Sequence, residues 1–139
     1  MRPGHAPARI AAGAYILHTG LGKWSGDDRQ AAGIHAMAAS AYPFLGQIPP
    51  ARFLRCVAAA EIATGLALLT PVVPSLVAGA ALANFSAGLL GMYWRTPGMH
   101  KPGSIWPTDE GLAVSKDVWL LGIGLGLVID GLLDCRRRA

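Results

Sequence analysis

Four apolar segments limit what this chain can fold into. They run over about 8–24, 52–69, 76–94 and 112–133. A helix needs roughly 20 apolar residues to cross a bilayer, and only helices or closed barrels satisfy their backbone groups in lipid. The sequence therefore predicts an all-α integral membrane protein, a four-helix bundle of up-down topology. Residues 1–139 are expected to form a single domain.

The composition agrees with a membrane protein. Hydrophobic residues make up 53% of the chain and charged residues only 14%, whereas soluble domains carry about 25% charged residues. The net charge of +4 comes largely from Arg2, Arg9 and the arginines of 136–138, with no basic stripe between aromatic side chains. We therefore expect no nucleic acid partner. The expected partners are the lipid bilayer and another membrane protein or a second copy of the chain.

The arginines predict an orientation. Four spans place both termini on one side, and cytoplasmic loops carry an excess of Lys and Arg. Because the 136–138 arginines lie at one terminus and the short turn at 70–75 has no charge, we expect a multi-pass protein of the inner (plasma) membrane with both termini in the cytoplasm. Arg9 and Lys23 are expected to reach the two interfaces. A cleaved signal peptide is disfavoured because His18 interrupts the first apolar run.

The first long connection, 25–50, predicts an interfacial helix in the first outer loop. Asp27 and Asp28 are suited to begin a helix that runs to about Tyr42. A helix lying at the interface or a short re-entrant segment would fit this pattern. Its apolar residues recur at spacings of three and four: Ile34, Met37, Ala38, Ala41, Tyr42 and Leu45.

One carboxylate, Glu61, lies inside the second apolar segment. A charged side chain at the centre of a bilayer costs at least about 2.5–3.5 kcal/mol, so it is expected to have a partner. Lys23 and Lys116 are the candidates. An ion pair that only stabilises the packing is one interpretation. A polar pocket that binds a quinone head group, a small anion or a proton is the other.

The predicted topology brings further polar groups to the same level. His18, Lys23, Glu61, Lys116 and Asp117 fall in the outer half of three different spans, and Asn84 is expected near the midplane, at the floor of the pocket. Asp130 falls at the other end, where the neighbouring arginines are expected to neutralise it.

Small residues predict close helix packing. Gly79, Ala83, Ala87 and Gly91 recur at four-residue spacing in the third segment. The fourth segment contains Gly122, Gly124 and Gly126, which we interpret as a packing surface.

The sequence identifies no catalytic group. Cys56 and Cys135 fall at opposite ends of their spans, which excludes a disulfide between them. His18, His35 and His100 match no known ligand spacing, so no metal site is predicted. No nucleophile, base and orienting group occur at a recognisable spacing. No cofactor is identified, and a quinone is the one candidate.

Three motifs resemble the DoxX-like family of four-helix bacterial membrane proteins. They are His18-Thr-Gly-Leu-Gly-Lys23, Glu61-x-x-x-Gly65 and Ser115-Lys-Asp-Val-Trp-Leu-Leu121, and the likeness covers about 9–131. The resemblance implies an up-down bundle with Lys23, Glu61 and Lys116 as its polar core. It also implies a link to membrane redox chemistry, because some relatives are subunits of thiosulfate:quinone oxidoreductase and others belong to thiol-stress systems.

The first functional hypothesis is an accessory or quinone-linked subunit of a membrane redox system, with its pocket toward the outer face. The alternative is a non-enzymatic scaffold that binds another membrane protein through the small residues of the third segment. A small transporter ranks lowest, because four short spans would need an oligomer to enclose a path. The sequence does not determine whether the protein is an enzyme.

Overall fold

The computed structural model describes residues 3–138, which form helices joined by turns and loops, with no β-strand among them. Five helices have 14 or more residues. A 3-10 turn at Pro3–His5 precedes the first, and a second such turn, Pro43–Gln47, precedes the third. The helices are α1 (Ala6–Trp24), α2 (Asp28–Ala41), α3 (Pro50–Leu69), α4 (Ser75–Arg95), the single turn α5 (Leu112–Ser115), and α6 (Asp117–Arg138).

The long helices form two close pairs, α1 with α3 and α4 with α6. Glycines permit both approaches. A Cβ on Gly65 would lie 2.8 Å from the backbone nitrogen of Leu17, and a Cβ on Gly124 would lie 2.7 Å from that of Ala83. Only a residue without a side chain allows two backbones to come this close.

A common apolar core joins the two pairs. Its buried members come from α1, α3, α4 and α6, and Leu120 and Ile123 of α6 pack against them. The α3–α4 turn, whose two prolines cannot continue a helix, makes these helices neighbours. The buried residues of this core are Ala12, Ile16, Leu68, Ala78, Leu82 and Leu127.

Helix α2 begins where the sequence predicts. The Asp27 carboxylate accepts a hydrogen bond from the backbone N–H of Gln30 at 2.8 Å, an N-cap that confirms the predicted start. Ala38 and Ala41 pack with Met92 of α4 in a second apolar cluster. Met37, which the periodicity assigned to the apolar face, is exposed.

The fourth predicted segment is broken near its start. α5 ends at Ser115 and α6 begins at Asp117, and the N–H of Trp119 bonds to the carbonyl of Lys116 three residues earlier. This tighter turn separates the two helices. α6 also continues to Arg138, beyond the predicted end near residue 133.

Two stretches are long and apolar enough to cross a membrane: helix α4 and the segment Leu112–Arg137. Of the 18 most apolar consecutive residues in each stretch, only 22% and 11% respectively are buried within the chain. The core helix of a soluble protein would be mostly buried, so these side chains require another apolar environment. Among the predicted spans, α1 carries Arg9 and Lys23, and α3 carries Glu61 with two arginines.

The small residues of α4 are divided between two neighbours. A Cβ on Gly79 would lie 2.7 Å from the carbonyl oxygen of Gly124, whereas one on Gly91 would clash with the Tyr42 hydroxyl. The predicted scaffold surface is therefore covered within the chain at both of these glycines. Of the three α6 glycines singled out in the sequence, Gly124 alone packs closely, because nothing lies within 4 Å of a Cβ on Gly122 or Gly126.

Candidate functional site

Lys23 is the partner of Glu61. Its Nζ lies 2.9 Å from both Glu61 carboxylate oxygens. The two side chains are 21% and 6% exposed. Gly20 makes room for the contact, because a Cβ there would lie 2.9 Å from the Glu61 Cβ. The pair therefore joins α1 to α3 beside a close approach of the two helices, and it decides between the two lysines that the sequence left open.

Asp117, the first residue of α6, interacts electrostatically with both members of this pair. Its side chain is half-buried. The cluster thus contains two carboxylates and one ammonium group. When all three are ionised they carry one excess negative charge, which the uptake of one proton would neutralise.

A cleft between α1 and α6 borders this cluster. It has a volume of about 440 Å³. Lys116 and Asp117 are its charged lining residues, and aromatic rings line it from both helices, Tyr15 from α1 and Trp119 from α6. The remaining lining residues are apolar: Ala11, Ala12, Ala113, Leu120 and Ile123. The cleft therefore has mostly apolar walls and one charged end.

Two predicted pocket residues lie elsewhere. His18 is exposed, and neither it nor Asn84 lines this cleft. Asn84 is also exposed, because two residues on a helix correspond to a turn of about 200° and Asn84 stands two residues from the buried Leu82 and Ser86. The structure thus brings Lys23, Glu61 and Asp117 together, places Lys116 in the adjoining cleft, and leaves His18 and Asn84 apart.

The other histidines have separate surroundings. A ring nitrogen of His35 is 2.9 Å from the Leu45 carbonyl oxygen, and His100 stacks on Trp94 with ring centroids 5.0 Å apart. Within residues 3–138, no three of His, Cys, Asp and Glu lie together as a metal site. Cys56 and Cys135 are free and exposed, as their predicted positions at opposite ends require.

Arg9 makes five hydrogen bonds in an environment that the sequence did not predict. It is 0% exposed, whereas an interfacial position was predicted for it. Its guanidinium group has five N–H donors, and five hydrogen bonds leave it. The acceptors are the carbonyls of Ala67, Leu68, Thr70 and Val73 and the hydroxyl of Ser75, at 2.8–3.4 Å. Arg9 therefore caps the end of α3, where free carbonyls and the helix dipole favour a cation.

Asp130 was expected to be neutralised by the neighbouring arginines, and the structure gives it a partner that was not predicted, His5. Its Oδ2 lies 2.6 Å from Nε2 of His5. His5 stands one residue before α1, so this contact links the start of α1 to α6. A histidine at the chain start gives no sequence signal for a partner 125 residues away.

The all-helical fold, the uncovered apolar faces and the ionisable groups held between helices define a helical membrane protein. A family model, DoxX, matches residues 4–93. The chain belongs to the DoxX family. Searches of the curated proteins and of the solved structures gave no match.

The residues that match the family model include only part of the charged cluster. It contains Arg9, Lys23 and Glu61 but ends before α5 and α6. Lys116 and Asp117, which complete the charged end of the cleft, therefore lie outside it.

Proposed function

We propose that this protein is a quinone-linked or accessory subunit of a membrane redox system. The single observation that carries the proposal is the cleft between α1 and α6, whose charged end adjoins the Lys23–Glu61 pair. In this proposal α1, α3, α4 and α6 span the bilayer as an up-down bundle, and α2 lies at its outer face. The termini are cytoplasmic, and the membrane is the inner (plasma) membrane.

The dimensions and lining of the cleft suit a quinone. A ligand site of this kind is mostly apolar, with a few polar groups that fix orientation. Tyr15 and Trp119 offer aromatic surfaces to a flat ring, and Lys116 and Asp117 offer polar contacts to its oxygens. Because α6 exposes apolar side chains along its length, an isoprenoid tail would leave the cleft directly into lipid.

The charged cluster would hold a proton beside the ligand. A bound quinone supplies two-electron redox chemistry that requires protons. Asp117 lies at the junction between the cleft and the ion pair, so its carboxylate oxygen is the atom that would receive or release a proton. Lys23 would hold Glu61 in position by hydrogen bonds to both of its carboxylate oxygens, and the buried pair would limit the entry of water. The electrons would come from a partner protein, which the proposal also requires.

Quinone binding by the purified protein tests this proposal. Ubiquinone and menaquinone titrated into detergent-solubilised protein should bind with one site per chain, followed by quenching of tryptophan fluorescence. Ala11→Phe, which fills the cleft without removing a charge, should weaken binding by at least about tenfold, since about 1.4 kcal/mol suffices for that factor. Asp117→Asn should bind quinone but change its pH dependence.

Ala80→Phe is the matched control. Ala80 is exposed on α4 and lies outside the cleft, so this variant should bind as the wild type does. Equal loss in both phenylalanine variants, or no saturable binding by folded wild type, would exclude the cleft as a quinone site.

A further inference from the structure

Three side chains from distant parts of the chain meet at the end of the helices opposite Lys23. They are His5, Ser75 at the start of α4, and Asp130 of α6. His5 Nδ1 lies 3.2 Å from Ser75 Oγ, and His5 Nε2 lies 2.6 Å from Asp130 Oδ2. The order is hydroxyl, imidazole, carboxylate. No local motif announces it, because the residues are 70 and 125 positions apart.

The contacts of Arg9 favour one hydrogen-bond direction in this group. Arg9 Nη1 lies 3.4 Å from Ser75 Oγ, and a guanidinium group only donates. The Ser75 oxygen therefore accepts from Arg9, and its own hydrogen can be donated to His5 Nδ1 in the tautomer that leaves this nitrogen unprotonated. The ring hydrogen then belongs on Nε2 and points at Asp130. This is the arrangement in which a histidine serves as a base toward serine while a carboxylate orients it.

The surroundings of Ser75 suit a reaction at its hydroxyl. Ser75 borders a cleft of about 760 Å³, whose walls include Val72, Val73 and Cys135. The N–H groups of Ser75 and Leu76 precede the first N–H that bonds back to Pro74, that of Val77. N–H groups at a helix start point outward and stabilise an oxyanion. The positive charge of Arg9 lies beside them.

We propose that Ser75, His5 and Asp130 form a serine nucleophile site for acyl esters or thioesters with an apolar acyl chain. Ser75 Oγ would attack the acyl carbonyl carbon while its proton passes to His5 Nδ1. The alcohol or thiol would leave with that proton. Water would then attack the acyl-serine, return a proton through His5, and release the carboxylic acid and free Ser75. No oxidant, reductant or metal enters this sequence.

The substrate class follows from the position of the cleft. Most of its lining comes from the α3–α4 turn and the start of α4, residues 71–77, which carry no charge, and Asp134 of α6 is its one charged lining residue. An apolar acyl chain fits this wall better than a charged peptide does. The site lies at the helix ends, where the head group of an amphiphilic ester would stay in water. It is separate from the quinone cleft, with which it shares no lining residue.

Labelling with a fluorophosphonate tests the proposal without a known substrate. Purified full-length protein in detergent is incubated with the probe, digested, and analysed by mass spectrometry. Ser75 should be labelled, and Ser115 serves as an internal control because it lacks a histidine and bonds only to the Leu112 carbonyl. We expect labelling at Ser75 to exceed that at Ser115 by about 100-fold or more, the range of general base catalysis.

His5→Gln separates the base from the hydrogen bonds, because glutamine can contact both neighbours but takes up no proton. It should lower the labelling rate at Ser75 by about 100-fold while thermal unfolding stays close to wild type. Labelling of Ser75 no faster than Ser115 in folded wild type would overturn the proposal. An unchanged rate in folded His5→Gln would overturn it equally.

Discussion

Lys23 donates from one ammonium group to both oxygens of Glu61, 2.9 Å from each, and so connects the C-terminal end of α1 to the interior of α3. The two members of this ion pair belong to different helices. The contact therefore depends on the register between the two helices, and a shift of one turn would leave both charges without it.

Removing one member of this pair should destabilise the fold. Breaking a buried pair typically costs about 3–5 kcal/mol because it leaves an uncompensated charge. Since the Lys23 side chain is 21% exposed, we expect Glu61→Gln to fall at or below the lower end of that range. Lys23→Met with Glu61→Leu should recover much of the loss, because no charge remains buried. Unfolding in detergent, followed by circular dichroism, measures both.

The control for this experiment is Lys101→Met, since Lys101 is exposed in the loop before α5. A loss in the double variant as large as in Glu61→Gln would contradict the charge argument. Packing of the side-chain stems would then be the main contribution.

Arg9→Lys should be strongly destabilising despite the retained charge. Lysine has three donors on a single nitrogen and cannot reach five acceptors arranged around a planar guanidinium group. Each buried carbonyl left without a donor costs about 1–3 kcal/mol, so we expect a loss of at least about 2 kcal/mol. Arg55→Lys, at an exposed position of α3, should change the unfolding temperature little. Equal effects at the two positions would contradict the capping role.

Two neighbouring glycines of α6 should respond to alanine with opposite signs. Gly124→Ala places a Cβ 2.7 Å from the Ala83 backbone nitrogen, and overpacking of this kind costs about 1–3 kcal/mol. Gly122→Ala meets nothing within 4 Å and should stabilise the helix by about 0.5–1 kcal/mol. Thermal unfolding of the two variants tests this difference, and a stabilised Gly124→Ala would mean that α4 and α6 pack less closely.

The two cysteines report the sidedness of the membrane insertion. Cys56 and Cys135 are exposed, and they lie near opposite ends of the helices. Arginines lie near both ends of the helix bundle, Arg52 and Arg55 near one end and the terminal arginines near the other. The orientation in the membrane therefore calls for a direct test. With cytoplasmic termini, an impermeant maleimide should label Cys56 in intact cells and Cys135 only after permeabilisation. The reverse pattern would invert the proposed orientation.

The sequence predicted the helices and the need for a partner at Glu61. Length, apolarity and turn residues determine these locally, and the Asp27 cap is a local signal of the same kind. The sequence did not predict which face of each helix is turned toward the interior of the protein. Because α4 is apolar on nearly all sides, no face is distinguished by periodicity. Asn84 was therefore assigned to the interior, and the glycines of α4 to an external partner.

Arg9 and His5 were missed for a different reason. The partners of Arg9 are mainly backbone carbonyls, which every residue has, so no sequence pattern marks them. The partners of His5 are common polar side chains far along the chain. Both contacts arise only where the base of α1 meets the α3–α4 turn and α6, and nothing in the residues before α1 indicates that meeting.

The pairing of α1 with α3, rather than with the helix that follows it, imposes an order on biosynthesis. As α1 leaves the ribosome, Arg9 and Lys23 have no acceptor, because the carbonyls and the carboxylate that receive them belong to residues made later. α3 and its turn supply both at once. The first helix should therefore remain in a protected environment, at the translocon or a chaperone, until residue 75 has been made and can complete its bonds.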